Sequence, residues 1–159
     1  MKVTAPWRPV PPREALPAAG VLLASTGKPF TEAAIAEAAR LAGGPVGGRV
    51  RVITIARIHG TSFGLQHPGL MPNKKEKDAA QAMVAKAIKS LQRSGLKADG
   101  EVVITRSPAR SFTRAARAAG ATHVVLDNAQ GGGPLTRLDT GATARYLRFR
   151  LRDISLALV

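Results

Sequence analysis

Residues 20–31 read Gly-Val-Leu-Leu-Ala-Ser-Thr-Gly-Lys-Pro-Phe-Thr. The apolar run is too short for a helix and closes on Thr26-Gly27-Lys28-Pro29, a turn composition. It predicts a buried strand over residues 20–25 running into a tight turn. A helix is expected next, over residues 31–42, because Ile35, Ala38, Leu41 and Ala42 recur at helical spacing. Thr31 is placed to cap it, Glu32 lies in the first turn where the helix dipole favours an acid, and Gly43-Gly44 ends it.

The rest of the chain repeats this strand–turn–helix phrase. Residues 50–55, Val-Arg-Val-Ile-Thr-Ile, are a second strand, β-branched at nearly every position. From Asn73 to Ser94, the residues Ala80, Met83, Val84, Ala87, Ile88 and Leu91 form one helical stripe, with Gly95 as its stop. Residues 101–105 predict a third strand. Ser107-Pro108 opens a third helix with serine as N-cap, proline at the first helical position and Phe112, Ala115, Ala116 and Ala119 inside. Residues 122–127 predict a fourth strand. A glycine-rich loop from Asn128 to Thr140 then leads to a helix from Gly141 or Ala142 to Leu151, and residues 154–159 form a closing strand. The order β-α-β-α-β-α-β-α-β means right-handed crossovers and a parallel sheet. The expected fold is a single-domain α/β three-layer sandwich, a Rossmann-like open sheet of five parallel strands with helices on both faces. Residues 1–19 are read as a Pro-rich arm and 20–159 as the domain.

The chain of 159 residues is 45% hydrophobic, enough for a real core, and only 4% aromatic, so that core is aliphatic. No run reaches the ~18–20 apolar residues that span a bilayer, and the N-terminal segment, broken by five prolines before Gly20, has no signal-peptide stretch. No membrane association and a cytoplasmic location are expected. The absence of cysteine excludes disulfides, thiolate metal sites and cysteine nucleophiles. Twenty-four Lys and Arg against ten acids give +14, and the surplus runs along the whole chain. Such a field favours phosphate-bearing partners, though an arginine-rich solubilising surface would look the same.

In open parallel sheets, ligands sit beyond the carboxyl ends of the strands where strand order reverses. Two stretches qualify: the turn Ser25–Pro29 and the loop between Asp127 and Thr143. In the second, Gly131-Gly132-Gly133 ahead of a helix start is the best phosphate candidate, because glycines let backbone N–H groups approach an anion. Thr26-Gly27-Lys28 looks like part of a P-loop, but Leu22 stands where its first glycine would fall, so that reading fails. Catalytic readings do poorly. His59, His67 and His123 have no partner at metal-ligand spacing, and Asp127 has no second carboxylate near it in sequence. Ser25 and Ser107 lack a nucleophile-elbow context. Arg145, Arg148 and Arg152 share a helix face that could meet phosphates or RNA. The preferred reading is a solvated face, with Arg150 and Arg152 complementing the helix C-terminus, since no aromatic pair is read as interleaved for base stacking.

Order and spacing over residues 20–159 resemble the universal stress protein (UspA-like) family. VLLASTGK (21–28) resembles its first strand, which ordinarily ends in Asp-Gly-Ser, and SPARSF (107–112) its Asp-Pro-Ala segment. GATHVVLDN (120–128) resembles its Gly-Ala-Asp strand and DISLALV (153–159) its closing strand. The family loop Gly-x2-Gly-x9-Gly-(Ser/Thr) falls on Asn128, Gly131, Gly141 and Ala142, with Asp127 taking the first place if the register shifts by one. The nucleotide motif is thus degenerate: Thr26 replaces the first-strand acid and Ala142 the final hydroxyl, though Thr140 and Thr143 flank it.

The resemblance implies a non-catalytic stress-response or regulatory protein. Its candidate ligand is ATP, AMP or another adenine nucleotide, held by Ser25, Thr26, Gly27, Ile55, Asn128, Gly131, Gly132, Gly141, Ala142 and Thr143. It also implies a homodimer through the C-terminal strand, with Ile154, Leu156 and Leu158 at the edge. The alternative is a nucleotide-free dimeric interaction protein whose basic surface engages nucleic acid or an acidic protein partner.

Overall fold

The computed structural model describes residues 19–43, 48–57, 74–127 and 134–159, with backbone alone described for Arg57 and residues 134–140. The strands are β1 (Val21–Ser25), β2 (Arg49–Arg57), β3 (Lys97–Thr105), β4 (His123–Asp127) and β5 (Ser155–Leu158). The helices between them are α1 (Glu32–Ala42), α2 (Lys74–Arg93), α3 (Pro108–Ala119) and α4 (Pro134–Arg150). All strand pairs are parallel, in the order β3-β2-β1-β4-β5. The predicted five-stranded α/β sandwich is what the chain forms.

Alternation along the strands sorts the core into two layers. Val21, Leu23, Val50, Val52 and Val125 meet Ala34 and Ala38 of α1 and Val84, Ala87 and Leu91 of α2. Leu22, Ala24, Ile53, Ile55, Val124 and Leu126 face the other way, onto Phe112, Ala116 and Ala119 of α3 and Ala144 and Leu147 of α4. Small alanines on the helices let them sit close to the branched residues of the sheet. Each fully buried Leu or Ile contributes about 1.5–3 kcal/mol, so this aliphatic core holds the fold despite so few aromatics.

Four differences from the sequence reading have physical causes. In α1 the buried positions are Ala34 and Ala38, while Ile35, Leu41 and Ala42 are half-buried at the rim of that layer. β3 begins at Lys97, because Asp99 is tied to β2: its carboxylate accepts from Arg51 Nε at 2.9 Å and from Arg49 at 3.2 Å. Ser107 precedes α3 but its side chain makes no capping bond; proline at the first helical position already removes one of the donors a cap would serve. The fourth difference bears on function. α4 starts at Pro134 rather than at residue 141, so its first turn opens on proline directly after the glycine run. Gly141 lies inside the helix, a position that costs about 1 kcal/mol relative to alanine.

Candidate functional site

Strand order reverses between β1 and β4, which are neighbours although their partners on either side run outward in opposite sequence directions. At the carboxyl ends of the three central strands, Thr54, Ser25 and Asp127 are register partners in one row. All three are buried, at 0%, 1% and 5% exposure. The polar row lies on the face that α1 covers, and each member has a structural task.

Ser25 builds the turn after β1. Its hydroxyl donates to the Lys28 carbonyl at 2.6 Å and accepts from the Lys28 N–H at 3.2 Å. Thr54 donates to the Ser25 carbonyl at 3.4 Å. Gly27, at φ 89°, is where the turn needs glycine: a Cβ there would lie 2.8 Å from the Ile55 carbonyl oxygen. The turn is therefore pressed against the end of β2, where Gly27 meets the Ile55 backbone, while Ser25 faces α1 and the Ile55 side chain the α3–α4 layer. Thr26 and Ile55 are buried and Gly27 is exposed at the mouth.

Asp127 closes the row from β4. Its Oδ2 accepts from the Thr31 backbone N–H at 2.7 Å and from the Thr31 hydroxyl at 3.1 Å. The same hydroxyl accepts from the Ala34 N–H at 3.2 Å, so Thr31 is the N-cap of α1, as its sequence position predicts. A carboxylate thus sits at the positive end of α1, a favourable place for it. The sequence reading weighed Asp127 as a catalytic acid or as the first position of the family loop and did not connect it to Thr31, ninety-six positions away. Only the topology brings the two together. Thr54 was missed for the same reason.

The second candidate stretch runs from β4 into α4. Asn128, Gly131 and Gly132 lie outside the described residues. Gly141 and Ala142 are helical and solvent-facing, and Thr143 is turned inward at 3% exposure. The helix N-terminus that follows the glycines is at Pro134, and it is that end whose dipole could meet an anion. Thr143 lies just past the midpoint of α4, about two and a half turns from the end that follows the glycines. Among the described residues, no group of three or more His, Asp or Glu side chains could hold a metal ion. No described helix is long and apolar enough to cross a membrane.

At the far edge of the sheet, β5 pairs among the described residues on one side only, with β4. Leu158 is 39% exposed there, Leu156 and Ile154 half-buried.

No protein-family model and no curated protein sequence matches the chain. Solved structures of the universal stress protein fold do. One from Burkholderia pseudomallei has 17% identity and a TM-score of 0.58, covering 88% of this chain and 95% of its own. A universal stress protein of Archaeoglobus fulgidus in complex with dAMP has 14% identity and a TM-score of 0.55, covering 88% and 96%. A universal stress protein in complex with cAMP has 15% identity and a TM-score of 0.58, covering 89% and 97%. The chain has the universal stress protein fold over nearly its whole described length.

Proposed function

We propose that this chain is a non-catalytic, cytoplasmic regulatory module that holds an adenine nucleotide in the crevice between the β1 turn and the β4–α4 connection. The observation that carries this reading is the switch point itself. The turn Ser25–Gly27 packs on the Ile55 backbone there, the sequence ahead of α4 is glycine-rich, and two solved neighbours of this fold are complexes with dAMP and cAMP. The described strand ends and turn offer backbone groups and hydroxyls, and their one carboxylate is engaged with Thr31. That chemistry suits binding and supplies no evident general base.

The test is a thermal-shift panel on the full chain with ATP, ADP, AMP and cyclic AMP, with and without magnesium, at fixed ionic strength. Ligand at about 100 times its Kd should stabilise by ~2.7 kcal/mol, a rise of roughly 5–10 °C for a chain of this size. The substitution Gly131→Tyr should remove that shift and leave the circular dichroism unchanged. Equal shifts with inorganic tripolyphosphate, or none at millimolar nucleotide, would refute the pocket.

The second reading, a nucleotide-free dimer, is favoured by the unpaired edge of β5 and its exposed Leu158. Light scattering at micromolar concentration should report a dimer that Leu158→Lys converts to monomer. A monomeric parent chain would end that reading.

A further inference from the structure

The outer surface of α3 and α4 is rich in arginine, whereas the cations of α2 are mostly lysines interrupted by Glu76 and Asp78. α3 carries Arg110, Arg114 and Arg117 at i, i+4 and i+7, all exposed, and contains no acid. Like charges at this spacing destabilise a helix. By contrast, α1 answers its only arginine, Arg40, with Glu37, in a two-point salt bridge at 2.7 and 2.8 Å. The α3 stripe is continued by α4, since Arg117 donates to the Arg150 carbonyl at 3.0 Å and locks the C-terminal ends of the two helices side by side.

Within the arginine series of α4 stands the aromatic pair that the sequence reading overlooked. Phe149 is 63% exposed, and Tyr146, one turn earlier on the same side, is half-buried. Leu147 and Leu151 take the buried side of the helix, so Phe149 points away from the core. Each ring is covered by a guanidinium, Arg150 at 5.5 Å from the Tyr146 centroid and Arg152 at 5.1 Å from that of Phe149. Arg145 and Arg148 lie exposed beside them.

We infer that this arginine-flanked aromatic pair on the outer face of α3 and α4 is a docking surface for single-stranded nucleic acid. The charge is complementary to a phosphate backbone, and every base has a face that can stack on an exposed ring. Rings three residues apart on a helix are displaced about 4.5 Å along its axis, room for two successive unpaired bases. The guanidinium planes can stack on the same bases from the side. A duplex hides its base faces and could use only the arginines. The aromatic pair and Arg117 lie at the C-terminal ends of α4 and α3, away from the carboxyl-end crevice, and do not depend on nucleotide binding there.

The experiment is fluorescence anisotropy of a labelled twelve-nucleotide oligo(dT) with the full chain, titrated between 50 and 200 mM salt. A twelve-base-pair duplex and heparin serve as competitors. Phe149→Ala should weaken binding roughly 5- to 150-fold and leave the salt dependence unchanged. Arg148→Gln should flatten the slope of log K against log salt by about 0.7. Phe149→Leu, which keeps apolar bulk without a π face, should behave like the alanine variant and guards against a folding artefact. Unchanged affinity in both Phe149 variants, or equal competition by duplex and heparin, would reduce the surface to a general polyanion or acidic-protein site and overturn the proposal. Displacement of the oligonucleotide by saturating AMP would place the strand in the crevice and overturn it equally.

Discussion

Replacing Asp127 by alanine removes the two bonds that tie the end of β4 to Thr31, the N-cap of α1, and its cost can be worked from the geometry. The bond from the Thr31 N–H at 2.7 Å is charge-assisted, and bonds to charged groups contribute about 1.5–3 kcal/mol. The hydroxyl bond at 3.1 Å is weaker, about 0.5–1.5 kcal/mol, and Thr31 keeps its own capping bond to Ala34. The loss should therefore be about 2–4 kcal/mol. At ~2–4 °C per kcal/mol for a domain of this size, the melting temperature should fall by roughly 4–16 °C. Asp127→Asn retains one acceptor oxygen and should cost about half as much. The assay is guanidinium unfolding followed at 222 nm, with Thr31→Val and the double variant completing a cycle. A coupling of about 0.5–3 kcal/mol between the two positions is expected. Because Thr31→Val keeps the backbone N–H, the cycle isolates the hydroxyl bond alone; an Asp127→Ala or Asp127→Asn chain as stable as the parent would refute the argument that the carboxylate holds the helix.

Gly27→Ala should destabilise by about 1–3 kcal/mol, from the left-handed backbone and the contact with Ile55, visible in the same unfolding curves. Gly100→Ala should cost a similar amount, because a Cβ there would fall 2.5 Å from the Val52 carbonyl oxygen and 2.7 Å from a Val84 methyl. Unchanged stability would mean that β3 moves outward freely. Asp99→Asn leaves Arg49 and the buried Arg51, only 4% exposed, without the carboxylate they share. It should lower the urea midpoint clearly, whereas Glu37→Gln, at an exposed pair, should barely move it.

The fold was legible because its strands are short apolar runs punctuated by glycine, and because Thr31, Gly95 and Gly120 mark helix ends in their own sequence. Gly120, for instance, ends α3 at φ 64°. Legibility failed where a distant partner decides. Residues 97–100 hold Asp99 and Gly100, weak strand formers that read as loop, yet β2 supplies two arginines and recruits them to the sheet. The start of α4 was missed because three glycines and an internal Gly141 suggest loop, although Leu135 and Leu138 recur at helical spacing from Pro134. In the site, Ser25 and Gly27 could be nominated from turn chemistry. The row joining Thr54, Ser25 and Asp127 could not, since register across a parallel sheet is not written in any local pattern. Tyr146 and Phe149 were legible and were passed over.

The register also orders assembly in time. β2, α2 and β3 come from one continuous stretch, residues 49–105, and can dock without waiting for the rest of the chain. The β1–β4 seam joins Val21 to His123, and contacts so far apart in sequence repay their closure entropy late. The polar row at that seam is therefore expected to complete late, beyond the main folding barrier. A molecule that recognises the finished crevice would meet nothing to grip in the transition state. It should prolong the lifetime of the native chain by slowing unfolding and leave the refolding rate as it was.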